Sequence, residues 1–325
     1  MNKFSPEKNQ NIVDWLLTFK NDLDDSEIKN IQQWQSKIEP VISASTSSID
    51  RAIIGGVLAD RMAYAFLSGY ENALQNHFTI LPAQSLAAFC VSEKGGSRPK
   101  AMKTTLSQGH NADTYILNGQ KSFVTCADEA QWLIIAATLT EADKSKTDME
   151  VSTRPNIKLA LIDANTLGLT FTVSTELPFI PEIRKGSLEL KDVKVTADNI
   201  LPGDGYSHYV KPFSCIESIY IMAATSAFLF RLACLFDWPK TLQEQVLSTL
   251  LNIKHLEEGD MCSPATEIMV SGVKAQLKHI TETSKPLWDK LPEQHQHRLQ
   301  RDCGMLLMSD KNHLTRLERA WTHYA

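Results

Sequence analysis

Three groups of residues in this chain have types and spacings that could do chemistry. Phe89, Val91 and Ser92 lie in a β-prone run, and Gly95-Gly96-Ser97 follows closely. A second run places Phe123, Val124 and Thr125 immediately before Cys126. Glu217 is a lone carboxylate entering an otherwise apolar stretch, Ile219 to Phe230. Aromatic rings beside hydroxyls and a glycine turn suit a flat ligand with polar edges, because glycine lets backbone amides approach it closely. The same residues also suit a plain β core closed by an ordinary turn. A carboxylate among apolar neighbours can serve as a base, since burial raises its pKa toward neutrality. It can equally be a first-turn residue favoured by the helix dipole. His295-Gln296-His297 would diverge on a helix and reads as a solvated helix start rather than a metal site. Gln300-Arg301-Asp302 and Arg316–Arg319 read as exposed helix charges. Cys126 reads as a reactive thiol or, with no base in sight, as a small buried residue.

The elements that must position these groups fall into three stretches. Residues 1–86 read as helical. Ile12, Trp15, Leu16 and Phe19 recur at helical spacing, as do Ile28, Ile31, Trp34 and Ile38. An apolar segment runs from Ile53 to Phe78, where Gly55-Gly56 implies either close packing or a bend. Residues 87–204 change to short β-prone runs: Phe89–Ser92, Thr114–Leu117, Ser122–Thr125, Trp132–Leu139, Ile157–Ile162, Leu169–Val173 and Ser187–Val195. Asn118-Gly119 reads as a hairpin turn between two of them. Residues 141–155 are polar and read as an exposed loop. The spacing predicts an antiparallel barrel or sandwich. Residues 205–325 return to helical patterns over Phe213–Leu235, Leu242–Leu256, Ala265–Lys285 and Gln294–Tyr324, with Pro239 as a break. The fold class is α+β: an N-terminal helical domain, a middle β-barrel or sandwich, and a C-terminal helical bundle.

Composition narrows the class. The 325 residues are 43% hydrophobic and 22% charged, with a formal net charge of −5, an ordinary globular balance. No basic arm marks a nucleic-acid binder. The longest apolar run falls short of the roughly 20 residues a membrane span needs. The amino terminus does not read as a signal peptide. Six scattered cysteines with no CxxC spacing suit reduced thiols and a cytoplasmic location.

Three blocks carry a resemblance. Ala88-Phe89-Cys90-Val91-Ser92-Glu93 with Gly95-Gly96-Ser97, then Leu117-Asn118-Gly119-Gln120-Lys121 with Phe123-Val124-Thr125, then the run from Gly186 to Val195 with Asn199-Ile200-Leu201 and Gly203, occur in order. Together they resemble the acyl-CoA dehydrogenase superfamily over roughly Ala87 to Ala233. The resemblance implies an FAD cofactor, an acyl-CoA or related thioester as partner, and α,β-dehydrogenation of that thioester, a reaction of fatty acid metabolism. It implies that Phe89, Val91 and Ser92 line one side of the flavin and that Phe123 and Thr125 lie against the other. Gly96 and Ser97 would reach the pyrophosphate or the acyl-CoA. Most of the family draws its base from a Tyr-Glu-Gly-Thr type segment near the carboxyl terminus, which this sequence lacks after Arg301-Asp302-Cys303. A minority places it on the helix after the β-domain, where Phe213-Ser214-Cys215-Ile216-Glu217 aligns and makes Glu217 the candidate base. Ser218 stands where the family usually has arginine. Pro239-Lys240-Thr241-Leu242-Gln243-Glu244 replaces its Arg-x-x-Phe-Gly segment, and no Gln-x-x-Gly-Gly segment is visible. Both helical portions are shorter than is typical. These departures carry an alternative: a non-catalytic acyl-CoA-binding or interaction subunit of the same fold. The apolar helices allow a homodimer.

Overall fold

The computed structural model describes residues 11–44, 47–140, 155–174, 178–307 and 311–325. Most of the expected loop at 141–155 lies outside them. The chain divides into a helical unit (residues up to His77, Pro178–Glu182 and Ser214–Ala325) and a β unit (Phe78–Leu177 and Ile183–Phe213).

The helical unit gathers both ends of the chain. Its helices are α1 (Ile12–Phe19), α2 (Ile31–Ala44), α3 (Ser48–Leu58), α4 (Met62–His77), α5 (Lys211–Leu235), α6 (Lys240–His255), α7 (Pro264–Trp288), α8 (Glu293–Asp302) and α9 (Lys311–His323). The first three residues of α5 cluster with the β unit. In α1 the periodic residues Ile12, Trp15, Leu16 and Phe19 are all buried, and the Asn11 side chain caps the helix by accepting from the Val13 amide at 2.9 Å. The Ile53–Phe78 segment forms two helices, but they part at Ala59-Asp60-Arg61 rather than at the glycine pair. Gly55 and Gly56 lie inside α3 because a side chain there has no room. A Cβ on Gly56 would sit 2.1 Å from the Ala224 carbonyl oxygen of α5, and one on Gly69 of α4 would sit 2.6 Å from the Cα of Ile221. These glycines let α3 and α4 lie backbone to backbone against the apolar middle of α5. With its preceding turn, this helix is long and apolar enough to cross a membrane, yet its most apolar stretch is 78% buried within the protein.

Buried charge completes the unit. Asp60 accepts from the Ile28 amide at 3.1 Å and pairs with Arg61 at 2.6 Å, and Arg61 donates to the Ile28 carbonyl at 2.9 Å. Ile28 is therefore buried ahead of α2 by a side-chain clamp, not as the first turn of that helix. Arg301 bridges Glu182 and Asp302, and the Asp302 carboxylate accepts from the amide of Ile180, whose φ is +40°. Asp302 is fully buried, so Gln300-Arg301-Asp302 is not the exposed charge run that its composition implies. Arg316 likewise pairs with the buried Glu267 at 3.0 Å. His295 is buried against Asp25 at 2.9 Å, whereas His297 is exposed; no metal-ligand cluster occurs among the described residues.

The β unit is one mixed seven-stranded sheet: β1 (Ala87–Cys90), β2 (Thr105–Gln108), β3 (Thr114–Thr125), β4 (Trp132–Thr140), β5 (Ile157–Asp163), β6 (Leu169–Val173) and β7 (Lys185–Thr196). One edge of β4 is shared by β1 along Trp132–Ile135 and β2 along Thr138–Thr140, and its other edge pairs with β5. The β2–β3, β3–β7, β4–β5 and β6–β7 pairs are antiparallel as expected, but β1 and β2 run parallel to β4. β4 is buried from Leu133 to Ala137, the continuous apolar run expected of a strand covered on both faces. Asn118-Gly119 is not a hairpin turn. It is an irregularity within one continuous twelve-residue strand, where the Asn118 side chain accepts from the Asp192 amide of β7 at 2.8 Å.

Alanine normally stabilises a helix interior by about 1 kcal/mol relative to glycine. At Gly56 the 2.1 Å approach to backbone makes steric repulsion dominate. Gly56→Ala should therefore destabilise the chain by about 1–3 kcal/mol in urea denaturation, the usual scale of overpacking. A stabilised variant would contradict the backbone contact between α3 and α5.

Candidate functional site

β1 delivers Phe89, and the chain then carries Val91, Ser92 and Glu93 into the glycine turn. The Glu93 and Gly96 backbones exchange two hydrogen bonds, at 3.1 and 2.8 Å, which closes the turn. Gly96 has φ +107° and open space where a Cβ would be, so backbone conformation rather than crowding requires glycine here. Ser97 is exposed just beyond it.

A buried ion pair holds this segment against β3. Lys121 is fully buried, and its Nζ donates to Glu93 Oε1 at 2.7 Å and to the Val91 carbonyl at 3.4 Å. Glu93 also accepts from the Lys103 amide at 2.7 Å, the Thr104 amide at 3.1 Å and the Thr104 hydroxyl at 2.7 Å. Burial works against the Glu93 carboxylate, but the hydrogen bond from Lys121 and those from Lys103 and Thr104 outweigh it and hold its pKa below 4.5. Burial also lowers the Lys121 pKa, and the attraction to Glu93 only partly restores it. Burial pushes the neighbouring Cys90 thiol up to about 12, which leaves it unreactive.

Immediately after Lys121 the strand bulges. The Ser122 amide leaves the ladder and donates to the Ser92 carbonyl at 2.8 Å, which brings the two sequence blocks side by side. Phe123 takes up the slack at φ +59° and is 72% exposed. A bulky residue in the left-handed region costs on the order of 1–3 kcal/mol, and such strain concentrates at functional sites. Two residues on, Thr125 is half-buried at the end of β3. The hydroxyls of Ser92 and Thr125 make no hydrogen bond to protein among the described residues. Past Thr125, Cys126 is fully buried with φ +52°, and Arg184 clasps Asp128 at 2.7 Å and Glu129 at 2.8 Å.

The other candidates stand differently. Phe89 packs edge-on against Phe78 and Phe213, with ring centroids 5.0 and 5.1 Å away, and Phe78 stacks on Tyr209. Val91 is buried. Glu217 belongs to the helical unit. It is half-buried in the second turn of α5, and a π-helical turn, Tyr206–Val210, precedes that helix. Glu217 therefore lies beyond the first turn, where the helix dipole acts most strongly. Sequence reasoning passed over the Glu93–Lys121 pair. Its signal was a charge at Lys121 with the same parity as the inward-facing Leu117.

The profile of the acyl-CoA dehydrogenase middle domain matches residues 88–193, which include Phe89 to Thr125 but not Glu217. A probable medium-chain specific acyl-CoA dehydrogenase, mitochondrial, of Caenorhabditis briggsae is 24% identical over 180 residues, 54% of this chain and 42% of that protein. The chain aligns with less than half the length of the curated relatives it matches. Butyryl-CoA dehydrogenase from Megasphaera elsdenii superposes with a TM-score of 0.60 at 14% identity, over 98% of this chain and 100% of that one. An FAD complex of PigA superposes with a TM-score of 0.64 at 14% identity, again over 98% and 100%. The chain thus carries an acyl-CoA dehydrogenase middle domain and has the fold of that superfamily.

Lys121→Met keeps the bulk and removes the charge, leaving a buried carboxylate without its cation. We expect a loss of about 3–5 kcal/mol in denaturant titration. The pH dependence carries a sign. Because Glu93 has a lower pKa folded than unfolded, its contribution is present above the ordinary glutamate value of 4.5 and is lost as pH falls through its folded value. Without Lys121, burial dominates and the folded value rises, so acid unfolding of the variant should begin at a higher pH. A loss below about 1 kcal/mol, typical of exposed pairs, would show that the ion pair is not structural.

Proposed function

We propose that the chain is a flavin oxidoreductase of acyl-CoA dehydrogenase type that binds FAD and oxidises an acyl thioester between its α and β carbons. The observation that carries this reading is Phe123: a large aromatic residue, 72% exposed, held in strained backbone beside two half-buried hydroxyls that have no hydrogen-bond partner among the described residues. That donor set fits a flat group with an apolar face and polar edges. Phe123 would cover the ring face, while Ser92 and Thr125 would donate to its edge. Val91 and Phe89 would supply the apolar wall that excludes water. Gly96 and Ser97 would offer an amide and a hydroxyl to a phosphate of the cofactor or of the acyl-CoA. When bound, the flavin supplies the acceptor for hydride. Glu217 would take the α-proton of the thioester, helped by the apolar helix that partly desolvates it.

The second reading, a non-catalytic acyl-CoA-binding or interaction subunit, has one observation in its favour. Where the family's arginine-containing segment is expected, Pro239-Lys240 opens α6 instead, and Lys240 is turned toward Gln243 at 3.4 Å. The absorption spectrum of protein reconstituted with FAD separates the two readings. The enzyme retains a yellow chromophore through gel filtration; the binding subunit elutes colourless.

Phe123→Ala should weaken FAD binding roughly tenfold in fluorescence titration, given about 0.5–1.5 kcal/mol for an aromatic stack on top of lost buried area. Glu217→Gln should retain FAD while thioester oxidation falls by about 10²–10⁴, the scale of a lost general base. An unchanged rate would remove Glu217 from the mechanism.

A further inference from the structure

The β unit ends on an open edge that the flavin reading does not use. β6 is the last strand of the sheet and pairs only with β7, from Leu169 opposite Leu190 to Val173 opposite Gly186. At its two ends the Lys191 amide donates to the Gly168 carbonyl at 2.9 Å and the Ser174 amide to the Lys185 carbonyl at 2.8 Å. Antiparallel ladders alternate residue by residue, so the even positions from Gly168 to Ser174 bond to β7. Leu169, Phe171 and Val173 therefore turn their amides and carbonyls away from it, and these groups make no hydrogen bond among the described residues. The far side of the sheet is closed instead: along β5 the Leu201 amide donates to the Leu159 carbonyl at 2.8 Å, and Ile200 bridges to Ala160. The side chains agree with the backbone. Leu169, Phe171 and Val173 share a face with the buried Leu188 and Leu190, yet Val173 is 38% exposed and the other two are half-buried. The core row runs past its cover. Residues 164–174 hold no charge and no proline, and β6 pairs without a bulge, so the devices that normally protect an edge are missing.

We propose that β6 is an interaction surface for a second copy of this chain, which adds strand to strand in antiparallel register about a two-fold axis at Phe171. The occupant follows from the symmetry of the edge itself, since a two-fold contact requires a surface that matches itself. Phe171 is an outward-facing residue and stands midway between the other two, Leu169 and Val173. Across the axis the two Phe171 backbones exchange a pair of hydrogen bonds, and Leu169 of each copy exchanges a pair with Val173 of the other. Every outward amide and carbonyl of β6 is then satisfied. An axis at Thr170 would instead set Val173 opposite Leu167, outside the strand and behind Gly168 with its φ of +94°. The side chains fit the Phe171 register as well. Thr170 falls opposite Thr172 of the other copy, a favourable cross-strand pair, while Leu169, Phe171 and Val173 continue the apolar face. Glu189, the charge paired with Thr170, stays one strand back on β7, so no like charges meet. A contact of five residues from each copy is small for a permanent dimer, and association therefore depends on concentration. None of this depends on a bound flavin.

The test is sedimentation velocity of the full chain over a dilution series, in which the weight-average mass should climb with concentration above that of one chain. Val173→Pro removes an amide that faces away from β7, so the ladder and the melting temperature should hold. Its dissociation constant should rise about tenfold, the scale of the two hydrogen bonds lost across the axis. Charge then reads the register. Thr170 and Thr172 are exposed, so both accept a charged side chain without disturbing the fold. The double variant Thr170→Lys with Thr172→Lys sets like charges directly opposite each other and should lose the association, as should Thr170→Glu with Thr172→Glu. Mixing the two double variants should restore it, which damage to the fold would not allow. A wild-type chain that stays monomeric at every concentration, double variants that associate as well as the wild type, or a mixture that fails to associate would each overturn the proposal.

Discussion

The Lys121–Glu93 pair is the interaction on which the β unit's site depends. A charge buried to this degree is tolerated only when its partner and the surrounding donors are all in place. That requirement explains several residues at once. Thr104 must sit where its amide and hydroxyl both reach Glu93, and it can do so only because Gly119 has no side chain: a Cβ there would lie 2.6 Å from the Thr104 hydroxyl. The Asn118-Gly119-Gln120-Lys121 run is therefore the seat of a buried carboxylate. With Lys121 pulled inward and Ser122 turned to the Ser92 carbonyl, the strand has an extra residue to place. Phe123 is that residue, and its outward ring follows from the inward lysine.

Seen this way, the glycine turn and the β3 bulge are coupled. Glu93 closes the turn through its backbone while its carboxylate fixes the bulge through Lys121. Gly96 on one side and Phe123 and Thr125 on the other are thus held in fixed relation by a single side chain. Pre-organisation of this kind lowers the entropic cost of ordering a loop when a ligand binds.

Much of this architecture was legible in the sequence, and the misses have physical causes. Amphipathic helices such as α1 and alternating strands such as β7 declare themselves, because burial of one face imposes a period. β2 escaped because Thr-Leu-Ser-Gln is short and mostly polar, and its place follows from pairing with β3 and β4. Asn118-Gly119 misled because a bulge and a hairpin turn recruit the same residues, both needing unusual backbone angles. Ile28 fell in step with the helical period although a buried Asp60–Arg61 clamp, not a helix, holds it. Arg301-Asp302 read as solvated because composition cannot reveal that a distant segment, Pro178–Glu182, folds onto it. Of the site, the Phe-x-Val-Ser, Gly-Gly-Ser and Phe-Val-Thr groups were visible as motifs. The ion pair that joins them was not, since its two members lie 28 positions apart.

α5 serves the core with one part of its length and carries polar groups with another. Its apolar middle is fixed by close backbone contact with Gly56 and Gly69, which leaves its amino-terminal turns to present polar groups. Cys215 and Glu217 both fall there, two residues apart. At 3.6 residues per turn such positions point about 200° away from each other around the axis, so one rotation of the helix cannot turn both into the same pocket. The two side chains therefore leave α5 on different sides.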